Sequence, residues 1–323
     1  MESVGTDARL AMAVLRSYQR MGFDTAQAVA NFSINIRKVA NGPSRLPASL
    51  RQGADKCLPG LQVVEMTRVI AGPVAGKTLA AHGADVLWVT STKLPDTPSV
   101  DRGVARGKRT QSLDINEADS RVKLDELLAN ADVFLQSYRP DSLASKGLSP
   151  DILTSKSKNG IIYATLSAYG PDGLWSDRRG FDSLAQTCSG VNVSEAEHFG
   201  ADEVSRVLPR QVLVHASGYL LAAGIRAALY KQASEGGSFE VQVSLAGTMK
   251  YLRSLGQYQR RSGFECRDFN SQGVVLARCL EEQDSQFGRI RAVRYSAHVK
   301  GLAVGWDIMP RPLGSDKAEW LRQ

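Results

Sequence analysis

From Leu58 onward, apolar runs of strand length alternate with stretches that carry helical spacing. After the Pro59-Gly60 turn signal, Val63, Val64 and Met66 supply the first such run. Ala71-Gly72-Pro73 breaks it, and the small residues Ala75, Gly76, Ala80 and Ala81 predict a helix able to pack closely on a sheet. His82-Gly83 stops that helix, because glycine readily takes the positive φ of a C-terminal cap. Asp85 then leads into Val86-Leu87-Trp88-Val89, a second strand. Strand, short crossover helix and strand form a βαβ unit, which requires parallel pairing. Further strands are expected at Thr110–Leu113, Ala131–Gln136 and Ile161–Leu166, with helices ending through Asp125–Asn130 and Asp151–Ser157. Repeated alternation of this kind predicts a doubly wound α/β sheet. Its ligand crevice would open at the carboxyl ends of the strands, where the Thr67–Pro73 loop falls.

Residues 1–57 lack this alternation. Leu10–Tyr18 and Ala26–Val39 each fit an amphipathic helix, the second capped by Asp24 or Thr25, so the segment reads as an N-terminal helical extension or dimer arm. Glu2 and Asp7 argue against a transit peptide.

Composition narrows the function. A hydrophobic content of 43% and a charged content of 23% fit an ordinary globular protein, and no apolar sequence run approaches the 18 or so residues of a membrane span. Cys57, Cys188, Cys266 and Cys279 lie far apart and form no CxxC pair, so they read as reduced thiols and not as a metal site. The C-terminal Leu321-Arg322-Gln323 is not a peroxisomal address, and a cytoplasmic location is the expectation. The net charge of +7 comes from scattered bases without interleaved aromatics, which favours an anionic metabolite over nucleic acid. Arg102, Arg106, Lys108 and Arg109 cluster on a glycine-bearing loop that reads equally as a phosphate cradle or a solvated turn. The Thr67–Pro73 loop is not GxGxxG. Gly76-Lys77-Thr78 imitates the end of a phosphate-binding loop, but Ala71 stands where its first glycine belongs. A nicotinamide-dependent oxidoreductase is therefore the weakest reading.

Six ordered segments carry a resemblance: LPGLQVVEMTRVIAGPVAGKTLAAHGADVLWV, RGKRTQSLDI, ADVFLQSYRPDSLASKGLSPDIL, IIYATLSAYGPDG, RGFDSLAQTCSG and ASGYLLAAGIRAALYKQASEGGSFEVQVSL. Together they run from Leu58 to Leu245, and over that span the chain resembles the family III CoA-transferases, the CaiB/BaiF group that includes formyl-CoA transferase, carnitine CoA-transferase and α-methylacyl-CoA racemase. The resemblance implies a Rossmann-like domain over residues 58–245 and a much reduced small domain over 246–286. It also implies a C-terminal return segment over 287–323 and an interlocked homodimer, or pairing with a paralogue. Coenzyme A or an acyl-CoA would be the substrate, with a carboxylate as acceptor and no metal. By position, Val69 and Ile70 match the family's adenine-end contacts, Leu113 and Asp114 a pair along the nucleotide, and Arg139 and Arg179 its polar or basic CoA contacts. Arginine suits a polyanion, since its planar fork grips phosphate bidentately.

The chain also departs from the pattern. Many members carry a Glu-Arg pair where this sequence has Thr90-Ser91. The transferases use an aspartate that attacks the acyl-CoA thioester; the matching position here is Val214, followed by His215. The racemases add a Gly-His-Asp motif, which here reads Gly180-Phe181-Asp182. His215 and Asp182 are the remaining acid/base candidates, with packing or helix capping as their bland alternatives. The 246–286 segment carries no run of glycines, so the lid that would exclude water is expected to be missing. Two functions stand: transfer of CoA between acyl groups or α-carbon isomerisation, and a catalytically silent CoA-binding or partner subunit.

Overall fold

The apolar runs fold as expected into strands buried on both faces, with crossover helices between them. In the computed structural model, which describes residues 5, 8, 10–18, 33–50, 53–157, 159–200, 202–265 and 274–321, one sheet has seven strands. They are β1 (Asn35–Ala40), β2 (Gln62–Met66), β3 (Asp85–Thr90), β4 (Arg109–Ser112), β5 (Val133–Gln136), β6 (Ile162–Ser167) and β7 (Ser238–Ser244). Their spatial order is β1-β7-β6-β5-β2-β3-β4, parallel throughout except that β1 runs antiparallel to β7. From β2 the chain winds outward through β3 to β4, then returns to β5 on the other side of β2. The order therefore reverses between β2 and β5, and that switch point is where open α/β sheets form their crevice.

Helices cover both faces. On one face α1 (Ala71–Ala81) packs with Val63, Val86, Val133, Leu135, Ile162 and Val241. On the other, α3 (Ala118–Asn130) and α4 (Pro150–Lys156) cover Val64, Leu87, Phe134 and Tyr163. The short α2 (Pro98–Val104) links β3 to β4. Gly83 ends the first crossover with φ of 103°, as its cap role requires. After β6 come α5 (Asp182–Ser189), α6 (Val191–Phe199) and the long α7 (Val212–Glu235). Helix α7 crosses α1 closely at Gly218, where an added Cβ would lie 2.6 Å from the Ala71 carbonyl oxygen. The span Pro209–Glu235 is long and apolar enough to cross a membrane by composition, but 56% of its apolar window is buried against the sheet, as in a core helix.

The amino-terminal reading changes. Residues 11–17 have no regular helix, and the described part of the expected Ala26–Val39 helix is strand β1. The cap at Asp24 or Thr25 lies outside the described residues, as does Cys266. Strand β1 covers the edge of β7, with Arg37 paired to Glu240 at 2.5 Å. A register shift between Lys38 and Ala40 interrupts its alternation, which hid the period of two from the sequence pattern.

Beyond β7, α8 (Leu245–Ser254) packs on α5 and α7, and α9 (Val274–Cys279) leads into a hairpin of β8 (Leu280–Ser285) and β9 (Gly288–Val293). The expected boundary between residues 286 and 287 falls in the turn of that hairpin. The following segment straps the large domain. Trp306 donates its indole N–H to the Lys77 carbonyl at 2.9 Å, and Thr110 and Asp316 bond each other's main chain beside β4.

Candidate functional site

The parallel pairing puts the carboxyl ends of β2 to β6 along one edge, so the loops that follow them converge. The loop after β2 carries Val69 and Ile70. Val69 has φ of 64° and is exposed, an uncommon conformation for a β-branched residue that persists only when its surroundings enforce it. Val69 lines a small cavity with Thr67, Trp88, Thr90 and Tyr138, and Thr90 and Tyr138 also line a separate cleft of about 180 Å³ with Met66, Val89, Ser91, Leu113, Asp114 and Leu143. Leu113 is buried at its wall. Asp114 accepts hydrogen bonds from the Asn116 main-chain N–H and side-chain amide, and these hold its carboxyl below the usual range. Lys93 and Lys146 stand at the same cleft. Sequence reasoning missed both, because single lysines on unrelated loops carry no local signal.

Arg139, in the loop after β5, stacks its guanidinium 5.2 Å over the ring of Phe181. Burial and then the positive charge of Arg179 press its pKa down, so the two arginines lie close enough to repel. Neither pairs with a carboxylate among the described residues. Two adjacent guanidinium groups without a counter-ion make a local demand for an anion.

The structure separates the two acid/base candidates. Asp182 is 1% exposed; one carboxylate oxygen accepts from the Val214 main-chain N–H at 2.9 Å and the other from the Gln186 amide. It thus caps the first turn of α7, not of its own helix, and its charge also suits the positive end of that helix. His215 caps nothing among the described residues. It is exposed on the first turn of α7 with no hydrogen-bond partner among the described residues, and burial of its inner side, then the charge of Lys77, lowers its pKa. Val214 turns its side chain into the core beneath it.

The basic loop is no phosphate cradle. Arg109 grips Asp85 through two bonds of 2.9 and 2.8 Å and also bonds the Glu319 carbonyl. Arg106 pairs with Glu281 at 2.8 Å, Lys108 is buried against Glu65 at 2.7 Å, and Arg102 stacks on Phe287. All four bases are turned to partners within the fold.

The match to a family model decides what this arrangement belongs to. Residues 58–274, two thirds of the chain, match the CoA-transferase family III model. The chain belongs to CoA-transferase family III. It is similar to an acyl-CoA transferase of Gibberella moniliformis, at 36% identity over 235 residues that cover 70% of this chain and 41% of that protein. It is also similar to the α-methylacyl-CoA racemase of Mus musculus, at 26% identity, covering 81% of this chain and 68% of the racemase. A crystal structure of a mutant of Rv3272 from Mycobacterium tuberculosis superimposes with a TM-score of 0.68 at 21% identity, covering 83% of this chain and 99% of that one, and shares the fold. The chain spans less than half the length of the Gibberella relative. The family III match begins at Leu58, just before β2, so β1 and the β8–β9 hairpin lie outside it. Coenzyme A is the substrate of CoA-transferases, and the residues lining the cleft, with Arg139 and Arg179, all fall inside the matched residues. Among the described residues no cluster of histidine, cysteine and acidic side chains has the arrangement of a metal site.

Proposed function

We propose that this chain binds coenzyme A or an acyl-CoA along the carboxyl edge of its sheet, with the nucleotide at the β2–β5 switch point. The observation that carries this reading is Arg139 in the loop after β5, stacked on Phe181 and without a carboxylate partner among the described residues, with the positive charge of Arg179 acting on it. A polyanionic ligand relieves that repulsion, and the bidentate fork of arginine matches its phosphate oxygens. Val69 and Ile70 would then pack on the adenine end, with Leu113 and Asp114 along the nucleotide and Lys93 and Lys146 as further cations. The chemistry would be transfer of CoA between acyl groups, with a carboxylate acceptor, or isomerisation at the α-carbon of an acyl-CoA. His215, exposed and neutral at pH 7, is the available proton carrier. Tyr219 and Tyr230 are exposed eleven residues apart on one face of α7, a surface suited to a second subunit.

A second reading, a catalytically silent CoA-binding or partner subunit, is favoured by Val214 and Asp182. The residue matching the family's nucleophile is apolar, and the carboxylate beside it is buried with both oxygens bonded. Calorimetric titration with CoA tests the shared part: absence of CoA binding at millimolar concentration removes the active and the CoA-binding readings and leaves the partner subunit. Mass spectrometry after incubation with acyl-CoA donors separates them, since an acyl adduct or a transferred product is expected only of the active form.

A further inference from the structure

We infer that the buried Glu65–Lys108 ion pair is a positioning device that fixes the Thr67–Ile70 loop in its ligand-binding shape through Thr67. This inference rests on the proposed role of that loop in holding CoA. Glu65 and Lys108 have side chains of 0% exposure and meet at 2.7 Å beneath α1. Their closeness to the helix is built in at Gly76, where a Cβ would fall 1.7 Å from Glu65 Oε2. The Glu65 oxygen that binds Lys108 also accepts from the Thr67 hydroxyl. Lys108 lies 4.8 Å over the ring of Trp88, and Trp88 donates its indole N–H to the Thr67 carbonyl at 3.0 Å. Both polar groups that Thr67 offers to this side are thus held, its side chain by the ion pair and its main chain by the aromatic ring that Lys108 covers.

Two residues later the chain takes the left-handed turn at Val69, and the Ile70 carbonyl accepts from Val74 to begin α1. Thr67 and Ile70 are therefore fixed points, and Arg68 and Val69 must bridge them in whatever conformation fits. This explains why a valine, which strongly disfavours positive φ, adopts it here.

Stability alone does not explain the pair. A buried ion pair loses so much hydration that apolar residues of similar size in its place usually leave a fold equally stable or more so. Glu65 Oε2 has no hydrogen-bond partner, which makes the exchange less favourable still. What apolar side chains cannot supply is a directional bond to the Thr67 hydroxyl.

The test uses the full chain and separates loop shape from stability. Thr67→Val removes the hydroxyl at constant shape, Thr67→Ser restores it, and Glu65→Leu/Lys108→Met removes the whole pair. Methyl NMR of Val69 and Ile70 is expected to move in Thr67→Val and in the double variant and to return in Thr67→Ser. CoA affinity is expected to fall about fivefold in Thr67→Val, the equivalent of one ordinary hydrogen bond, and to recover in Thr67→Ser, while the thermal midpoint falls by no more than about 4 °C. Unmoved Val69 signals in Thr67→Val overturn the inference whether or not CoA binds. So does an unchanged CoA affinity in a wild type that binds. Failure of the wild type to bind CoA removes the proposed function, and the NMR comparison still decides the role of the pair. If the double variant does not fold, the two Thr67 variants suffice.

Discussion

The main-chain N–H of Val214 donates to a carboxylate oxygen of Asp182 at 2.9 Å. This bond joins the first turns of α5 and α7, at the two positions that the family resemblance sets against its catalytic motifs. The carboxylate that remains is used to start α7, and the residue at the helix start presents a hydrocarbon.

Val214→Asp is expected to raise acyl-adduct formation above that of the wild type, if the fold retains the geometry of the active members. The new carboxyl would lie near Asp182, and like charges raise one pKa of such a pair. A loss of about 1–3 kcal/mol in stability should accompany it, because an apolar core position becomes polar. Intact-mass measurement after exposure to an acyl-CoA reads the first effect, and urea unfolding the second. No adduct in a folded Val214→Asp variant would show that more than one residue separates this chain from catalysis.

Asp182→Asn keeps the shape of the cap but removes its charge. The expected loss is about 1.5–3 kcal/mol, the range for a buried hydrogen bond to an ionised group. CoA affinity should change less than about twofold, since the side chain is buried and faces Val214 and Gln186. A large fall in CoA affinity at unchanged stability would instead place Asp182 in the binding site.

Arg139→Ala and Arg179→Ala should each weaken CoA binding about tenfold, and more at low salt than at high salt. Stability should hold or rise, because each change removes one of two neighbouring positive charges. Calorimetry at two ionic strengths and a thermal melt give both answers. Wild-type CoA affinity in both variants would move the phosphates elsewhere.

Lys77 donates to the Gly103 carbonyl at 2.8 Å and lies 4.7 Å from the Trp306 ring, and Arg106 lies 4.1 Å from the same ring. Burial, then the charges of Arg106 and Lys108, lower its pKa from 10.5 to about 7. Between pH 7 and pH 10 the unfolded chain therefore holds a proton that the folded chain has released, so this group makes stability rise with pH. Below pH 7 both states are protonated and the full penalty applies. Lys77→Met removes that slope. Its advantage over the wild type should be greatest at pH 7 and shrink by on the order of 3 kcal/mol by pH 10. Urea unfolding at both pH values checks it; a constant gap would mean that the folded protein keeps Lys77 charged.

The alternating units from Leu58 to Leu245 were legible because both periods, two for strands and 3.6 for helices, are local properties of the chain. So were the stop at Gly83 and the resemblance to the CoA-transferase family. Strand β1 was not, because its bulge breaks the alternation and its partner β7 lies about two hundred residues away. The basic loop was not either. Arg102 to Arg109 look alike in sequence, and their use depends on Asp85, Glu65, Glu281 and Phe287, which only folding brings to them.

The same division holds at the site. Sequence alone determined the order of the elements, the edge at which their loops open, and the apolar residue at position 214, since each follows from residue type and spacing along the chain. Tertiary structure decided that Asp182 caps α7, that Arg139 stacks on Phe181 without a carboxylate partner among the described residues, and that Glu65 and Lys108 meet beneath the loop. The reason is physical: hydrogen bonds and ion pairs act over a few ångströms, and no local pattern records which distant residues will come within that reach.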